Sequence, residues 1–450
     1  MMPDNAIGQL RTGFPEGAPS ALDLWKKETG IEVEVVGASS TDIFTKVMQD
    51  VTTGDGSIDV YSGPWNSTGD LVASGGALDC TDYVTKYQPD WGDPERGVST
   101  KEVEQLLYTY NGKYYSFALD GDFQTWYYLK GLYEKPEVQE AFLSEVGYEL
   151  RTPDTWEQVD AISKFFTGKD FGYGTMYGNG NLMSPFWGLS TFYMRLASMD
   201  APNYYFFDED GNPQMNTDLA IQCTEEHVRS LEWSPPDALT FTFAESFAAI
   251  WNCRTPQSGT YTAVGKFGDG YNADGTPKSK STGMLGCHGP VGRVVGDKLV
   301  RRSALYYSIT SWVSSKSANP EAAYLFLQWL SSTRMFTWMV SNPSGTFDPF
   351  QQANLVEPFV IDTYFPYTTD AIPASIETGV PTLNFAGQSA LDTALDEELQ
   401  AALTGQKTSK EAMDAVQSKW ERIIRRQERN GIRDAIKASR ASWPTVVENI

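Results

Sequence analysis

The hydrophobic pattern of the chain changes between two periods. Residues 31–36, IEVEVV, alternate apolar and acidic side chains and predict a half-buried strand, whereas residues 43–51 repeat apolar side chains at helical spacing. A further strand is predicted at residues 58–63, IDVYSG, which leads into a Gly63-Pro64-Trp65 loop. Alternating strands and helices predict βαβ units and a mainly parallel sheet, whose ligands bind at the carboxyl ends of strands.

Two helices carry clear start signals. Ser20 precedes Asp23 by three residues and Gly30 follows the pattern, so a capped helix is predicted between Ser20 and Gly30. Thr408 and Glu411 form a second capping box ahead of an apolar stripe. That stripe belongs to the second of two helices predicted to close the chain. We expect both closing helices to have structural roles.

Size and composition indicate a well-folded protein of more than one lobe. The chain has 450 residues, of which 41% are hydrophobic, and it contains 13 tryptophans. A single hydrophobic core rarely serves so long a chain, so two lobes of about 200 residues each are expected. No internal repeat or low-complexity tract is present.

The formal charge of −23 argues against nucleic acid and anionic membranes as partners. Binding to either relies on clustered lysine and arginine side chains that displace counterions. No stretch approaches the roughly 20 apolar residues that span a bilayer. We therefore expect a soluble protein that binds no nucleic acid.

Cysteine and histidine supply little catalytic or metal chemistry. The cysteines lack CxxC spacing, and they are either structural thiols or include one disulfide, for which Cys253 and Cys287 lie near ends of predicted neighbouring strands. His227 and His288 are too few for a triad or a multi-histidine metal site. GxSxG, Walker A and HExxH patterns are absent. No cofactor, metal or catalytic residue is predicted. The remaining cysteines are Cys80 and Cys223.

Several segments follow one another in an order that is typical of a known family. They are residues 22–36, 56–84, 110–134, 243–253, 319–332 and 391–424. In this order the chain resembles, across most of its length, family 1 of the extracellular solute-binding proteins of ABC transporters, the maltose-binding-like group. The family usually opens with a hydrophobic strand, whereas only MMPDNAIGQL and two further residues precede Gly13 here.

The resemblance implies an α/β fold of the two-lobed periplasmic-binding-protein type II, with parallel-rich sheets flanked by helices and a hinge between lobes. Lobe I is expected at residues 1–120 plus about 305–345, and lobe II at about 121–304 plus about 346–450. It also implies a monomeric, periplasmic or extracellular protein. Such a protein captures a carbohydrate-like solute (a sugar, oligosaccharide, polyol or glycoside) by hinge closure and delivers it to a membrane permease.

Aromatic side chains are candidates for the apolar faces of such a solute. Sugars present C–H faces that stack on aromatic rings and hydroxyl rims that need polar partners. Trp65, Trp187 and Trp251 are the candidate platforms, and Asn252 follows Trp251 as a polar candidate. Large aromatic residues more often fill cores, so each tryptophan has a core role as its alternative.

Polar candidates lie in two bends where the chain is expected to cross between lobes. Asp120 and Asp122 flank the glycine of a DGD bend, and their carboxylates could accept hydrogen bonds from hydroxyl groups. Gly345, Thr346 and Asp348 belong to a loop, SNPSGTFDPF, where the chain would return. Plain turns are the alternative for both segments, since Gly, Pro, Ser and Asp dominate turns.

Two other classes of protein fit parts of this pattern. A secreted carbohydrate-active enzyme also combines carboxylates with an aromatic cleft, but Asp120 and Asp122 are too close in sequence to identify an opposed catalytic pair. A structural interaction protein would show an exposed apolar patch and no response to ligands. A transporter binding protein remains the preferred interpretation.

Overall fold

Distant parts of the chain assemble each of two units. The computed structural model describes residues 1–93, 97–98, 101–199, 206–305, 308–381, 384–428, 431–441 and 448–449. Unit 1 comprises Met1–Asp122, Tyr306–Pro366 and Leu383–Ser389, and unit 2 comprises Phe123–Leu305, Tyr367–Thr382 and Ala390–Ile450. Residues 346–366, which the sequence assigned to lobe II, belong to unit 1. One contact that links this segment to unit 1 is the backbone bond from Gly121 N in the DGD bend to Asp348 O.

The sheet of unit 1 is built around a strand from late in the chain. Ile309–Val313 lies between Val60–Pro64 and Ser116–Ala118 and runs antiparallel to both. The expectation of a parallel-rich sheet is wrong here. The rule for βαβ crossovers applies to consecutive strands. The central strand returns only after the first segment of unit 2, Phe123–Leu305, so local alternation does not set its direction.

The core of unit 1 lies between this sheet and its helices. Ile43, Val47 and Leu71 pack with Tyr61 and Trp312 in one buried cluster. The predicted helix after Ser20 is confirmed, with a complete capping box and a left-handed Gly30. The helices are Asp4–Arg11, Ala21–Thr29, Ile43–Thr53, Thr68–Ala73, Thr81–Tyr87, Lys101–Tyr108, Pro320–Ser331, Thr333–Val340, Gln352–Val356 and Pro358–Tyr364. The other strands are Met2–Pro3, Gly37–Ala38, Thr109–Tyr110 and Lys113–Tyr114.

The strand predicted at residues 31–36 is wrong. These residues have no strand assignment, and the pairing begins only at Gly37–Ala38, which runs parallel to Met2–Pro3. A cavity of about 540 Å³ lies beside residues 31–36, with residues 57–60 also in its wall. A strand is defined by its hydrogen-bonded neighbours, so the alternating pattern alone does not make one here.

Unit 2 contains a second antiparallel sheet. Its order is Gln257–Thr260, Thr125–Leu129 and Leu285–His288, with the middle strand antiparallel to both neighbours. Gly292–Val295 and Lys298–Arg301 form a hairpin, to which Glu448–Asn449 adds. Ser303–Leu305 and Gly379–Pro381 pair in parallel. Parallel pairing therefore occurs in this unit, but not around its central strand.

Helices surround the sheets of unit 2. The predicted capping box of Thr408 with Glu411 is confirmed at the start of Ser409–Gln427. Two closing helices were predicted, but Ile432–Ala441 adds a third. The helices of this unit are Lys130–Tyr133, Pro136–Val146, Trp156–Phe166, Gly188–Ala197, Asp218–Arg229, Phe243–Trp251, Val264–Gly268, Ile372–Glu377, Gln388–Leu403, Ser409–Gln427 and Ile432–Ala441. Two helices have their first residues in unit 1 and the rest in unit 2, namely Pro366–Thr369 and Gln388–Leu403.

The open question about a disulfide is answered by the geometry. Cys80, Cys223, Cys253 and Cys287 are all free thiols.

His227 is fully buried in the helix Asp218–Arg229, where burial lowers its pKa to about 3. Within the described part of the chain, no helix combines the length and apolarity that crossing a membrane requires.

Candidate functional site

The DGD bend of unit 1 is fixed by backbone contacts on both sides. Leu119 donates from its backbone N to Ile309 O at 2.9 Å, so the bend continues the edge of the sheet. Gly121 N then donates to Asp348 O at 3.0 Å. A Cβ atom on Gly121 would stand 2.9 Å from Asp348 O and 2.7 Å from the Phe350 side chain. Glycine is therefore required for the close approach of the two segments.

This approach brings three predicted site residues together. Asp348 N donates to Asp120 Oδ1 at 2.7 Å, and Tyr364 Oη donates to Asp348 Oδ1 at 2.8 Å. Asp120, Asp122 and Asp348 each offer a carboxylate oxygen within 4.8 Å of the others. All three are at most 9% exposed. We call these three residues the carboxylate cluster.

The electrostatics of the carboxylate cluster favour proton sharing. Burial raises the pKa of Asp120 well above its ordinary value, and repulsion from Asp348 adds to the rise. Burial also raises the pKa of Asp122, with further repulsion from Asp120 and Asp348. Carboxyl groups this close cannot all ionise without repulsion. A protonated member can donate a hydrogen bond, while its neighbours accept.

The carboxylate cluster is also the group of acidic side chains, among the described residues, whose spacing could hold a metal ion. Calcium takes six to eight oxygen ligands in its protein sites. Here Asp120 and Asp348 already accept hydrogen bonds from Asp348 N and Tyr364 Oη. A calcium ion would therefore need further oxygen ligands besides the three carboxylates.

Trp65 lies in the same unit, directly after the strand Val60–Pro64. Its side chain is only 1% exposed, and its backbone N donates to Ser308 O at 3.0 Å. The hydroxyl of Ser308 donates to Asp120 O at 2.5 Å. Ser308 therefore ties the backbone of Trp65 and the backbone of Asp120 to one end of the sheet. Whether the Trp65 ring contacts a ligand stays a prediction.

Gly345 and Thr346 lie against Gln9 of the first helix. Gln9, on the helix Asp4–Arg11, donates to Met339 O and accepts from Thr346 N at 2.8 Å. A Cβ atom on Gly345 would stand 2.0 Å from Gln9 Oε1. These contacts dock the loop on the first helix. Their place in the site therefore stays a prediction, and the contacts named here involve Gln9 rather than the carboxylate cluster.

The remaining candidates lie in unit 2. Trp187 precedes the helix Gly188–Ala197, is 6% exposed, and packs against Phe243 and Tyr261 with ring centroids 5.2 and 6.1 Å away. Trp251 donates from Nε1 to Val264 O at 3.0 Å. Asn252 is exposed and donates back to Ala248 O at 2.8 Å, as a helix end commonly does.

Sequence reasoning missed two residues of the site. Tyr364 holds Asp348 from the end of the helix Pro358–Tyr364, and Ser308 holds the backbone of Asp120. Neither residue is part of a motif, and both lie more than ten residues from the aspartates they contact. Only the fold of unit 1 brings them to the carboxylate cluster.

A comparison of the sequence with known families gives one match over most of the chain. Residues 8–335 match the bacterial extracellular solute-binding protein family. The chain belongs to this family. Its members are substrate-binding components of transporters rather than enzymes, and this chain is accordingly a solute-binding protein of an ABC transporter.

A curated relative agrees with this assignment at low identity. The probable amino-acid ABC transporter periplasmic-binding protein y4oP of Sinorhizobium fredii (strain NBRC 101917 / NGR234) is 23% identical over 429 residues. The alignment covers 94% of this chain and 89% of that protein. The two proteins therefore correspond over nearly their full lengths.

Solved structures confirm the predicted fold class. A solute-binding protein from Agrobacterium radiobacter K84 in complex with ribitol superimposes with a TM-score of 0.71 at 17% identity, covering 88% of this chain and 92% of that one. Maltose-bound MalE3 from T. maritima gives 0.69 at 16% identity, with 89% and 94% covered. A protein from Agrobacterium vitis S4 with bound D-mannitol gives 0.69 at 19% identity, with 91% and 94% covered. These are two-lobed periplasmic-binding proteins.

Proposed function

We propose that this solute-binding protein captures a neutral, polyhydroxylated solute, namely a sugar, oligosaccharide, polyol or glycoside. The carboxylate cluster of unit 1 is the observation that carries the proposal. Its oxygens can accept hydrogen bonds from hydroxyl groups, and a shared proton can be donated in return. Structural neighbours that hold ribitol, maltose and D-mannitol support the same class of ligand.

An amino acid is the ligand class suggested by the name of the curated relative. Its α-carboxylate would be repelled by Asp120, Asp122 and Asp348, whereas its α-ammonium group would be attracted by them. The carboxylate cluster by itself therefore does not separate the two ligand classes. The neutral class is preferred because the structural neighbours hold ribitol, maltose and D-mannitol.

The solute would be released unchanged to a membrane permease. In this scheme the protein is a monomer outside the cytoplasm, and the hinge closes when bound solute stabilises the closed form. The protein itself would catalyse no reaction. A secreted carbohydrate-active enzyme is the alternative, and it would convert the bound sugar to a product.

A thermal-shift screen tests the proposal directly. The purified protein is heated with sugars, polyols and oligosaccharides, and amino acids serve as the matched control set. A ligand at 100 times its dissociation constant stabilises the native state by about 2.7 kcal/mol. A rise with a carbohydrate that is recovered intact supports the proposal. A response restricted to amino acids, or conversion of the sugar, would overturn it.

A further inference from the structure

Gln124 stands near the start of unit 2 and carries a fully buried amide. The residue is 0% exposed, and neither Nε2 nor Oε1 has a hydrogen-bond partner among the residues that the structure describes. An amide removed from water without partners costs free energy on folding. Gln124 is one of several buried side chains without partners among the described residues, and such a group calls for a partner that completes its hydrogen bonds.

The strand register gives the direction of this amide. Thr125 and Thr260 lie opposite each other where two antiparallel strands meet. Gln124 and Tyr261 lie one residue beyond this last pair of the two strands. If the register extends by that one residue, Gln124 stands opposite Tyr261, and residues directly opposite project from the same face of the sheet. Tyr261 packs edge-on against Trp187, with centroids 6.1 Å apart. The amide of Gln124 therefore lies on the face that carries this aromatic pair.

The helix Gly188–Ala197 covers the same face. Met194 Cε lies 3.3 Å from the position of a Cβ atom on Gly259, and Trp187 directly precedes the helix. Thr191 follows Trp187 by four residues and precedes Met194 by three, so all three share one side of the helix. Thr191 is 1% exposed, and its Oγ1 also has no hydrogen-bond partner among the described residues. A second buried polar group thus faces the sheet in the same layer.

We infer that Gln124 and Thr191 form a hydroxyl-binding subsite in unit 2, beside the aromatic pair Trp187 and Tyr261. An amide offers a donor and an acceptor side by side, which matches two hydroxyl groups on neighbouring carbons. The aromatic rings offer an apolar surface for the C–H face of the same ligand. The ligand class is the vicinal diol of a neutral sugar or polyol, and the inference rests on the proposed function.

Variants of similar volume separate ligand binding from a structural role. Gln124→Leu removes an amide without partners, so the thermal midpoint of the ligand-free protein should stay unchanged or rise. Gln257→Leu is the matched control, because Gln257 is equally buried in the same sheet but is bonded to Trp126, Val159 and Ser163. Its midpoint should fall. Thr191→Val provides the second test of the subsite.

Titration calorimetry then measures affinity for ribitol, D-mannitol or maltose, whichever stabilises the wild-type protein most, and for its analogue lacking one hydroxyl group. We expect Gln124→Leu to bind the full ligand about tenfold more weakly, a change of about 1.4 kcal/mol. Several analogues, each lacking a different hydroxyl group, are compared. For at least one of them, loss of the hydroxyl group should weaken binding to the wild-type protein but not binding to Gln124→Leu.

Wild-type affinity in Gln124→Leu would overturn the subsite, and so would a ligand-free midpoint that falls as far as that of Gln257→Leu. A wild-type protein that responds to no carbohydrate at all would instead overturn the proposed function, together with the subsite that rests on it. The two failures are therefore distinguished by the wild-type titration alone.

Discussion

The two units bury acidic side chains in opposite ways. In unit 2, Arg195 bonds Asp160 and Glu226 at 3.2 Å each, and Arg293 bonds Glu226 at 2.5 Å. Burial alone would raise the pKa of Glu226, but the two guanidinium groups outweigh it and hold that pKa below its usual range. In unit 1, the members of the carboxylate cluster face each other, and the pKa values of Asp120 and Asp122 rise.

This difference separates a structural network from a candidate site. Buried acids that face guanidinium groups satisfy each other's charge and fix the packing of helices. Buried acids that face one another cost stability, so packing gives no reason to keep them. A protein can tolerate such a cost where the group performs a function. The carboxylate cluster is therefore the stronger functional candidate of the two.

The largest expected effect comes from breaking the network of unit 2. Arg195→Leu leaves Asp160 and Glu226 without that guanidinium in a buried setting, and the unfolding free energy should fall by about 3–5 kcal/mol. Urea unfolding followed by circular dichroism measures the loss. Arg229→Leu is the control, because Arg229 bonds the same Asp160 but its side chain is 48% exposed. A loss as small as that of the control would show that the network is not structural.

In unit 1, by contrast, removing a buried acidic side chain should raise the unfolding free energy. Asp122→Asn replaces one of the mutually repelling carboxyl groups with a neutral amide, so the ligand-free protein should gain on the order of 1 kcal/mol, a typical size for a stabilising substitution. Thermal unfolding at neutral pH measures the gain. Asp362→Asn, at an exposed position of the same unit, should change stability by less than about 0.5 kcal/mol. A destabilised Asp122→Asn protein would contradict the repulsion described here.

The pH dependence of stability sharpens the same contrast. Because the pKa of Asp122 is raised by folding, the native state binds more protons than the unfolded chain, and stability is lost as pH rises from about 4 through the raised pKa. Buried His227, with its pKa lowered to about 3, acts in the opposite direction below about pH 6.5.

The difference between wild type and Asp122→Asn removes the contribution of His227, which both proteins share. The stability gain of the variant should therefore grow as pH rises from 4 to 8. Thermal midpoints of both proteins over this range give the difference. A gain that is constant with pH would mean that Asp122 titrates normally.

The smallest effect is expected at the surface. Lys410 and Asp414 form an ion pair at 2.6 Å on one helix, and both side chains are more than 40% exposed. Lys410→Ala should cost no more than about 0.5 kcal/mol, and less at high salt. Urea unfolding at low and high ionic strength measures it. A cost comparable to that of Arg195→Leu would undermine the distinction between buried and exposed pairs.

Local signals predicted local structure well. Ser20 with Asp23 and Thr408 with Glu411 sit at helix starts as their capping pattern indicates, since these contacts depend on a few neighbouring residues. The prediction of a strand at residues 31–36 was wrong, because strand formation depends on a hydrogen-bonded partner elsewhere in the fold. The expectation of a mainly parallel sheet was wrong for the same reason, because Ile309–Val313 runs antiparallel to both of its neighbours.

The candidate site was predicted in part. The sequence indicated three aspartates as ligand-binding candidates because they lie in two bends, namely Asp120, Asp122 and Asp348. The fold of unit 1 brings their carboxylates within 4.8 Å of one another. Tyr364 completes this arrangement through a contact that no local pattern encodes. Gln124 had no signal at all, because a buried side chain without partners is visible only in three dimensions.

Comparing the binding of one carbohydrate to wild type and to Asp122→Ala shows whether the carboxylate cluster holds the solute. The ligand is the sugar or polyol that stabilises the wild-type protein most, and titration calorimetry at neutral pH compares both proteins with Asp362→Ala as the exposed control. We expect Asp122→Ala to fold and to bind at least about tenfold more weakly, a loss of about 1.4 kcal/mol, whereas the control should bind normally. Equal affinity in all three proteins would show that the carboxylate cluster does not bind the solute.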